Sequence, residues 1–307
     1  MAECRYYRVA DHLFAVSADE NLFARMTNYD PFIVPQHEIK DDAPVFRLNV
    51  MQGQWQPVQL VPVFTDTSED DMPRIEVSRI NGSDWFFAVA PRKDAPVACR
   101  LHALADFSQA WLYMSDADSL FAINNAAMLL FAFATAPLAT LEMHAAVVVR
   151  NDLGYLFLGK SGTGKSTHAQ LWLKAFPESW LLNDDNPVIR LLSRTAADGS
   201  TEQYVRVYGS PWSGKTPCYK NLSVPVGAVV KLSQAPHNEA RRLRLPEAYA
   251  YMLSSASGLK IEPAMMDALY TTISGMLAVM PVFHLDCLPD TDAARLCAAT
   301  VTPASAR

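Results

Sequence analysis

Charge is scarce in this chain, and it leans acidic. Asp, Glu, Lys and Arg make up 19% of 307 residues, and 26 basic against 32 acidic side chains leave a formal net charge of −6. A general binder of nucleic acid or of an anionic membrane surface needs a basic surplus, so neither partner is expected. Cysteine is sparse as well. Cys4, Cys99, Cys218, Cys287 and Cys297 are scattered, odd in number and form no C-x-x-C pair. That pattern indicates neither a disulfide framework nor a zinc site and reads as reduced thiols in a cytoplasmic protein. No secretory signal is legible, because Arg5, Tyr6, Tyr7 and Arg8 lead into mixed residues rather than an apolar core region. The most apolar run, Ala126 to Ala136, is too short to span a bilayer and follows Asn124 and Asn125, so it reads as part of a buried helix. Internal repeats and low-complexity segments are also lacking.

What is present is apolar content, 50% of the residues, enough for two packed cores. The first ~115 residues alternate in the manner of strands: 5–17, 45–51, 58–64, 74–80, 85–90, 99–106 and 110–114, with one short helix over 19–26. Asn81-Gly82 between two of these runs is the preferred pair for a tight hairpin turn. No catalytic pattern stands out in this part. Ser115-Asp116, with Asp118 and Ser119 as alternative caps, opens a helix over 117–135 that is apolar nearly all round. Such a helix is expected to be buried against the second domain or at a contact between copies in a homo-oligomer. The expected division is therefore a strand-rich domain over 1–115 and an α/β domain over 116–307.

The second part is organised around Gly159-Lys160-Ser161-Gly162-Thr163-Gly164-Lys165-Ser166, which fits G-x-x-x-x-G-K-[ST], the phosphate-cradling P-loop. Glycines let the backbone turn tightly and bring N–H groups up to phosphate oxygens. Lys165 reaches the β- and γ-phosphates, and the Ser166 hydroxyl binds Mg²⁺. A helix opening near Lys165 adds its positive dipole end. The flanks suit the motif: Gly154 to Leu158 is a short run of strand formers, and Ala169, Trp172, Leu173 and Phe176 recur at helical spacing. Lys160 points either to phosphate or to solvent.

A carboxylate must accompany such a loop to hold the metal. Asp184 and Asp185 stand at the end of the apolar run Trp180-Leu181-Leu182, on the segment directly after the loop's helix. Two adjacent carboxylates can divide the work, one on the metal and the other taking the acceptor's proton. Further on, strands are expected over 188–192, 204–208, 226–232 and 282–285, and helices over 246–255, 263–280 and about 291–300. The loop Gly209-Ser210-Pro211-Trp212-Ser213-Gly214-Lys215 offers Lys215 as a cation for the transferred phosphate or the acceptor, and Trp212 as a stacking surface or a buried side chain. Arg241, Arg242 and Arg244 read as a solvated basic face or as the source of a phosphate-stabilising arginine. Cys218 reads as a buried thiol rather than a nucleophile.

Taken together, Gly-Lys-Ser-Gly-Thr-Gly-Lys-Ser, the apolar hairpin feeding it and Asn183-Asp184-Asp185 resemble the HPr kinase/phosphorylase catalytic domain and its relative, ATP-dependent phosphoenolpyruvate carboxykinase. The resemblance covers about residues 140–235. It implies a P-loop kinase domain on a mixed sheet, with ATP and Mg²⁺ as cofactors and 159–167, through Thr167, around the phosphates. It also implies Ser166 and one aspartate, Asp185 or Asp184, on the metal, and the other as base. His144 matches the histidine that the kinase family carries on the strand before the hairpin, facing the active site. Thr167 stands where HPr kinases carry Glu, and their glycine-rich signature segment and the carboxykinases' substrate-binding set are not found. The expected activity is therefore transfer of the γ-phosphate to a hydroxyl acceptor, a protein or peptide serine or a small-molecule alcohol. The alternatives are a nucleotide-binding regulatory protein with little turnover and a carboxykinase-like lyase.

Overall fold

The computed structural model describes residues 3–39, 42–53, 55–56, 58–66, 73–115, 117–196, 198–214 and 216–302. The chain divides into two compact units, Met1–Ala134 and Thr135–Arg307. Both are built on mixed sheets, and the protein as a whole is mixed α/β.

The first unit contains β1 (Glu3–Val9), β2 (His12–Ala18), α1 (Glu20–Arg25), β3 (Ile33–Val34), β4 (Arg47–Val50), β5 (Leu60–Asp66), β6 (Arg74–Ile80), β7 (Asp84–Ala90), β8 (Cys99–Ala103), β9 (Gln109–Met114) and α2 (Ser119–Thr135). Its strands lie in the order β3-β1-β2-β4-β9-β8-β7-β6-β5. Residues 5–17 do not form one strand. Ala10 and Asp11 take left-handed φ of 48° and 62° and fold the segment into a two-residue hairpin. No Gly or Asn marks that turn, whereas Asn81-Gly82 marks its own hairpin, β6–β7, as expected. Helix α2 departs further from expectation. Phe131 packs on Phe14 at 6.2 Å and Phe133 on Phe87 at 5.7 Å, so the helix covers the first unit's own sheet. The boundary therefore falls at 134/135 rather than near 115, because the helix's apolar side chains bury against this sheet. The stretch Ser119–Leu138 is long and apolar enough to cross a membrane by length and composition alone, but 67% of an 18-residue window within it is buried inside the fold.

The second unit contains β10 (Thr140–Glu142), β11 (Ala145–Arg150), β12 (Leu153–Leu158), α3 (Lys165–Ala175), β13 (Trp180–Asn183), β14 (Val188–Thr195), β15 (Thr201–Tyr208), β16 (Ser223–Gln234), β17 (Glu239–Arg242), α4 (Leu245–Ser255), α5 (Pro263–Val279), β18 (Val282–Cys287) and α6 (Thr291–Val301). The order β10-β14-β15-β16-β12-β11-β13 is extended beyond β16 by β18 and then β17. Strand β16 is long enough to pair with β15 at its start and with β12 and β18 along the rest. β12, β16 and β18 run parallel, and β13 and β12 are both antiparallel to β11. The carboxyl ends of β12, β13, β16 and β18 therefore share one edge of the sheet, the edge at which open α/β sheets place their ligands.

One face of this sheet is closed by α3 and α6. Trp172, fully buried, lies 5.0 Å from the Tyr155 ring and 5.5 Å from Phe157, in a cluster with Ala169, Val230, Leu232, Leu285 and Cys297. Residues 141–149 are interrupted rather than continuous. β10 pairs with β14, and β11 pairs with β12 and β13. Between them Met143 N donates to Pro187 O and His144 N to Ser255 O, 2.9 and 2.8 Å. The backbone thus changes partners at His144.

Candidate functional site

The loop 159–164 leaves β12 and enters α3 through Gly164, whose φ of 102° is the left-handed region that a side chain resists. Lys165, buried at 8% exposure, opens the helix. Its Nζ donates to Gly159 O at 2.9 Å, to Lys160 O at 3.5 Å and to His144 Nε2 at 2.9 Å. The same His144 nitrogen lies 3.4 Å from Asp185 Oδ1. The break between β10 and β11 and the end of β13 therefore bring Lys165, His144 and Asp185 into one chain of polar contacts.

The Asp pair is held by a turn built on the Asn183 side chain. Asn183 Oδ1 accepts from the backbone N–H groups of Asp185 and Asn186, each at 2.9 Å, the local side-chain turn that Asn favours. Asn183 Nδ2 donates to Ser210 Oγ and Trp212 O, both at 3.1 Å, and Ser210 Oγ donates to Asn186 O at 2.6 Å. These bonds dock the 209–214 loop onto the aspartates. Gly214 sits so close that a Cβ there would lie 3.2 Å from the Asp185 Cβ. Asp185 Oδ2 accepts from Asn186 Nδ2 at 3.0 Å. Asp184 differs from its neighbour. It is 3% exposed, and among the described residues neither carboxylate oxygen has a hydrogen-bond partner. Such a buried anion is costly unless a cation or a donor reaches it.

Two features escaped the sequence reading. Glu142, at the end of β10, is fully buried. Its Oε1 accepts from Ser257 Oγ at 3.4 Å, while Oε2 has no partner among the described residues. Burial pushes its carboxyl well above the ordinary carboxylate range. The Ser257 hydrogen bond opposes this, and the charge of Asp185 adds to it. A Glu inside the apolar run Thr140-Leu141-Glu142-Met143 was the available signal. The second feature is a cleft of about 350 Å³ bordering Gly162, Thr163 and Gly164, walled by Leu171, Leu232 and Leu288. His168 also lines it. Burial pulls this imidazole down to about 4, so it is neutral, and its Nε2 accepts from Trp172 Nε1 at 3.1 Å. The proton then sits on Nδ1, which is buried and has no acceptor among the described residues.

The other expected residues fall as follows. Lys160, Ser166 and Thr167 are exposed on the loop and first helical turn, with Ser161 and Gly162. Lys215 lies outside the described residues. Trp212 is buried at 4% exposure, so it supports the loop and offers no stacking surface. Cys218 is a buried thiol that donates to Leu181 O and Leu182 O at 3.2 and 3.4 Å. Arg241 and Arg242 belong to β17, a strand not expected from the sequence, and Arg241 is paired with Glu247 at 2.8 Å. No protein-family model matches the chain, and no curated protein matches it.

Proposed function

We propose that the second unit is a P-loop phosphotransferase of the HPr-kinase-like kind. In this proposal it moves the γ-phosphoryl group of ATP to a hydroxyl acceptor. The observation that carries the proposal is the convergence at one sheet edge of the Gly159–Ser166 loop, the Lys165–His144–Asp185 chain and the buried Asp184, whose carboxylate has no hydrogen-bond partner among the described residues. The loop amides and Lys165 hold the phosphate chain. The cleft beside the loop, walled by Leu171, Leu232 and Leu288, suits a nucleoside, whereas pyrophosphate would leave it empty.

In this proposal Asp184 and Ser166 would hold a magnesium ion. The Asp184 carboxylate offers two oxygens without partners among the described residues, and the exposed Ser166 hydroxyl stands at the start of α3. When bound there, the ion offsets negative charge on the phosphates. Asp185, more exposed and oriented by Asn186 and His144, takes the proton of the acceptor hydroxyl as that oxygen bonds to phosphorus and ADP departs. Most of the rate comes from positioning and electrostatics. Calorimetry with ATP and with pyrophosphate, each with Mg²⁺, tests the assignment. Binding of ATP that Asp184→Asn weakens is expected. Binding of neither donor would refute it.

A further inference from the structure

A second set of basic side chains adjoins the loop on the other face of the sheet. Lys231 of β16 pairs in register with Leu158, the residue before Gly159. His284 of β18 is Lys231's partner in turn, and Arg241 of β17 is the partner of His284. Residues opposite one another on neighbouring strands point to one face. Val230, Leu232 and Leu285 point into the α3–α6 core, so Lys231, His284 and Arg241 point the opposite way. Tyr251 of α4 walls that side, its ring centroid 5.4 Å from Lys231 Nζ and 6.3 Å from the His284 ring.

The chemistry of this row is unbalanced at its centre. Arg241 has Glu247, and His284 Nε2 contacts Ser233 Oγ at 2.9 Å with Asp286 Oδ1 3.7 Å away. Lys231 Nζ donates to Ser233 Oγ at 3.2 Å and to Leu232 O, both neutral. Among the described residues no carboxylate reaches Lys231 within ion-pair distance. Burial lowers its proton affinity, Asp286 and Cys287 oppose that, and the like charge of Lys160 in the loop adds to it. A half-buried ammonium with neutral partners and a second lysine nearby is a site that an anion stabilises. The anion is not the donor's nucleoside side, because the cleft suited to a nucleoside lies on the α3 face.

We propose that Lys231, flanked by His284 and Arg241, binds an anionic group, a carboxylate or a phosphate, carried by the acceptor. This rests on the phosphotransferase reading and narrows its acceptor to acidic hydroxyl compounds. Lys231 neutralises the acceptor's charge beside the loop, and the Tyr251 ring limits its depth.

The test is calorimetry on the full chain saturated with Mg²⁺ and a non-hydrolysable ATP analogue, titrated with glycerate, glycerol 3-phosphate and glycerol. At least one anionic probe binds and glycerol does not, and the anion that binds more tightly tells carboxylate from phosphate. Lys231→Met weakens that binding about ten-fold or more, as loss of a charge-assisted contact does. Lys231→Arg retains most of it, and the analogue's own affinity is unchanged in both variants. Three results would overturn the inference: no anion bound to the loaded protein, anion binding indifferent to Lys231→Met, or a ten-fold loss of analogue affinity in that variant, which would place Lys231 on the donor. A wild-type chain that does not bind the analogue refutes the phosphotransferase reading itself, and this inference falls with it.

Discussion

His168 makes the second unit sensitive to acid by a calculable amount. In the unfolded chain its imidazole takes up a proton near the ordinary histidine value of 6.5; in the folded chain burial holds it off until about 4. Between these values the unfolded state binds the extra proton, so stability falls as pH falls. The contribution is fully present above about pH 6.5. Two and a half pH units at about 1.4 kcal/mol each remove about 3 kcal/mol by pH 4. The assay is urea unfolding of the wild type and His168→Gln at pH 7, 6, 5 and 4, following the transition that the substitution shifts. Gln cannot be charged and keeps an amide oxygen for the Trp172 indole. Subtracting the two free energies cancels every other titrating group. The difference should be level above neutrality and move by about 3 kcal/mol against the wild type on acidification. A difference that stays constant to pH 4 would refute a buried, neutral His168.

Glu142 should act with the opposite sign. Its folded-state affinity for a proton is raised, so the stability it contributes is present below the ordinary carboxylate range and is lost as pH climbs toward the folded value. Relative to Glu142→Gln, the wild type should lose about 1.4 kcal/mol per pH unit within that window, read by the same unfolding series. Asp184→Asn removes a buried charge that has no hydrogen-bond partner among the described residues. The metal-free protein should gain about 1–3 kcal/mol in chemical unfolding, while stabilisation by Mg²⁺ and ATP in a thermal-shift assay disappears. Trp172→Ala empties the centre of the core under α3 and should cost about 3–5 kcal/mol, read by urea unfolding.

Where the sequence carried a local rule, the fold follows it. The glycine-rich loop between an apolar run and a helix and the Asn-Gly hairpin each depend on residues close in the chain, and each forms where the sequence places it. His144 was reached through resemblance, and the break between β10 and β11 is what turns it toward Asp185. The features missed depend on distant partners. The Ala10-Asp11 turn has no glycine to announce it, and α2 looks the same whichever sheet it covers. Lys231, His284 and Arg241 lie on strands separated in sequence and meet only through the register of β16, β18 and β17. Glu142 was visible as a lone acid in an apolar run, but its meaning depends on Ser257 and Asp185.

The most direct test of the account follows the γ-phosphate of labelled ATP with Mg²⁺ in the presence of cell extract, comparing the wild type with Lys165→Ala. Label is expected to pass to an acidic hydroxyl acceptor with the wild type and to none with the variant, which lacks the Lys165 ammonium that lies on the loop. Tight nucleotide binding by the wild type with no label leaving ATP for any acceptor would contradict it.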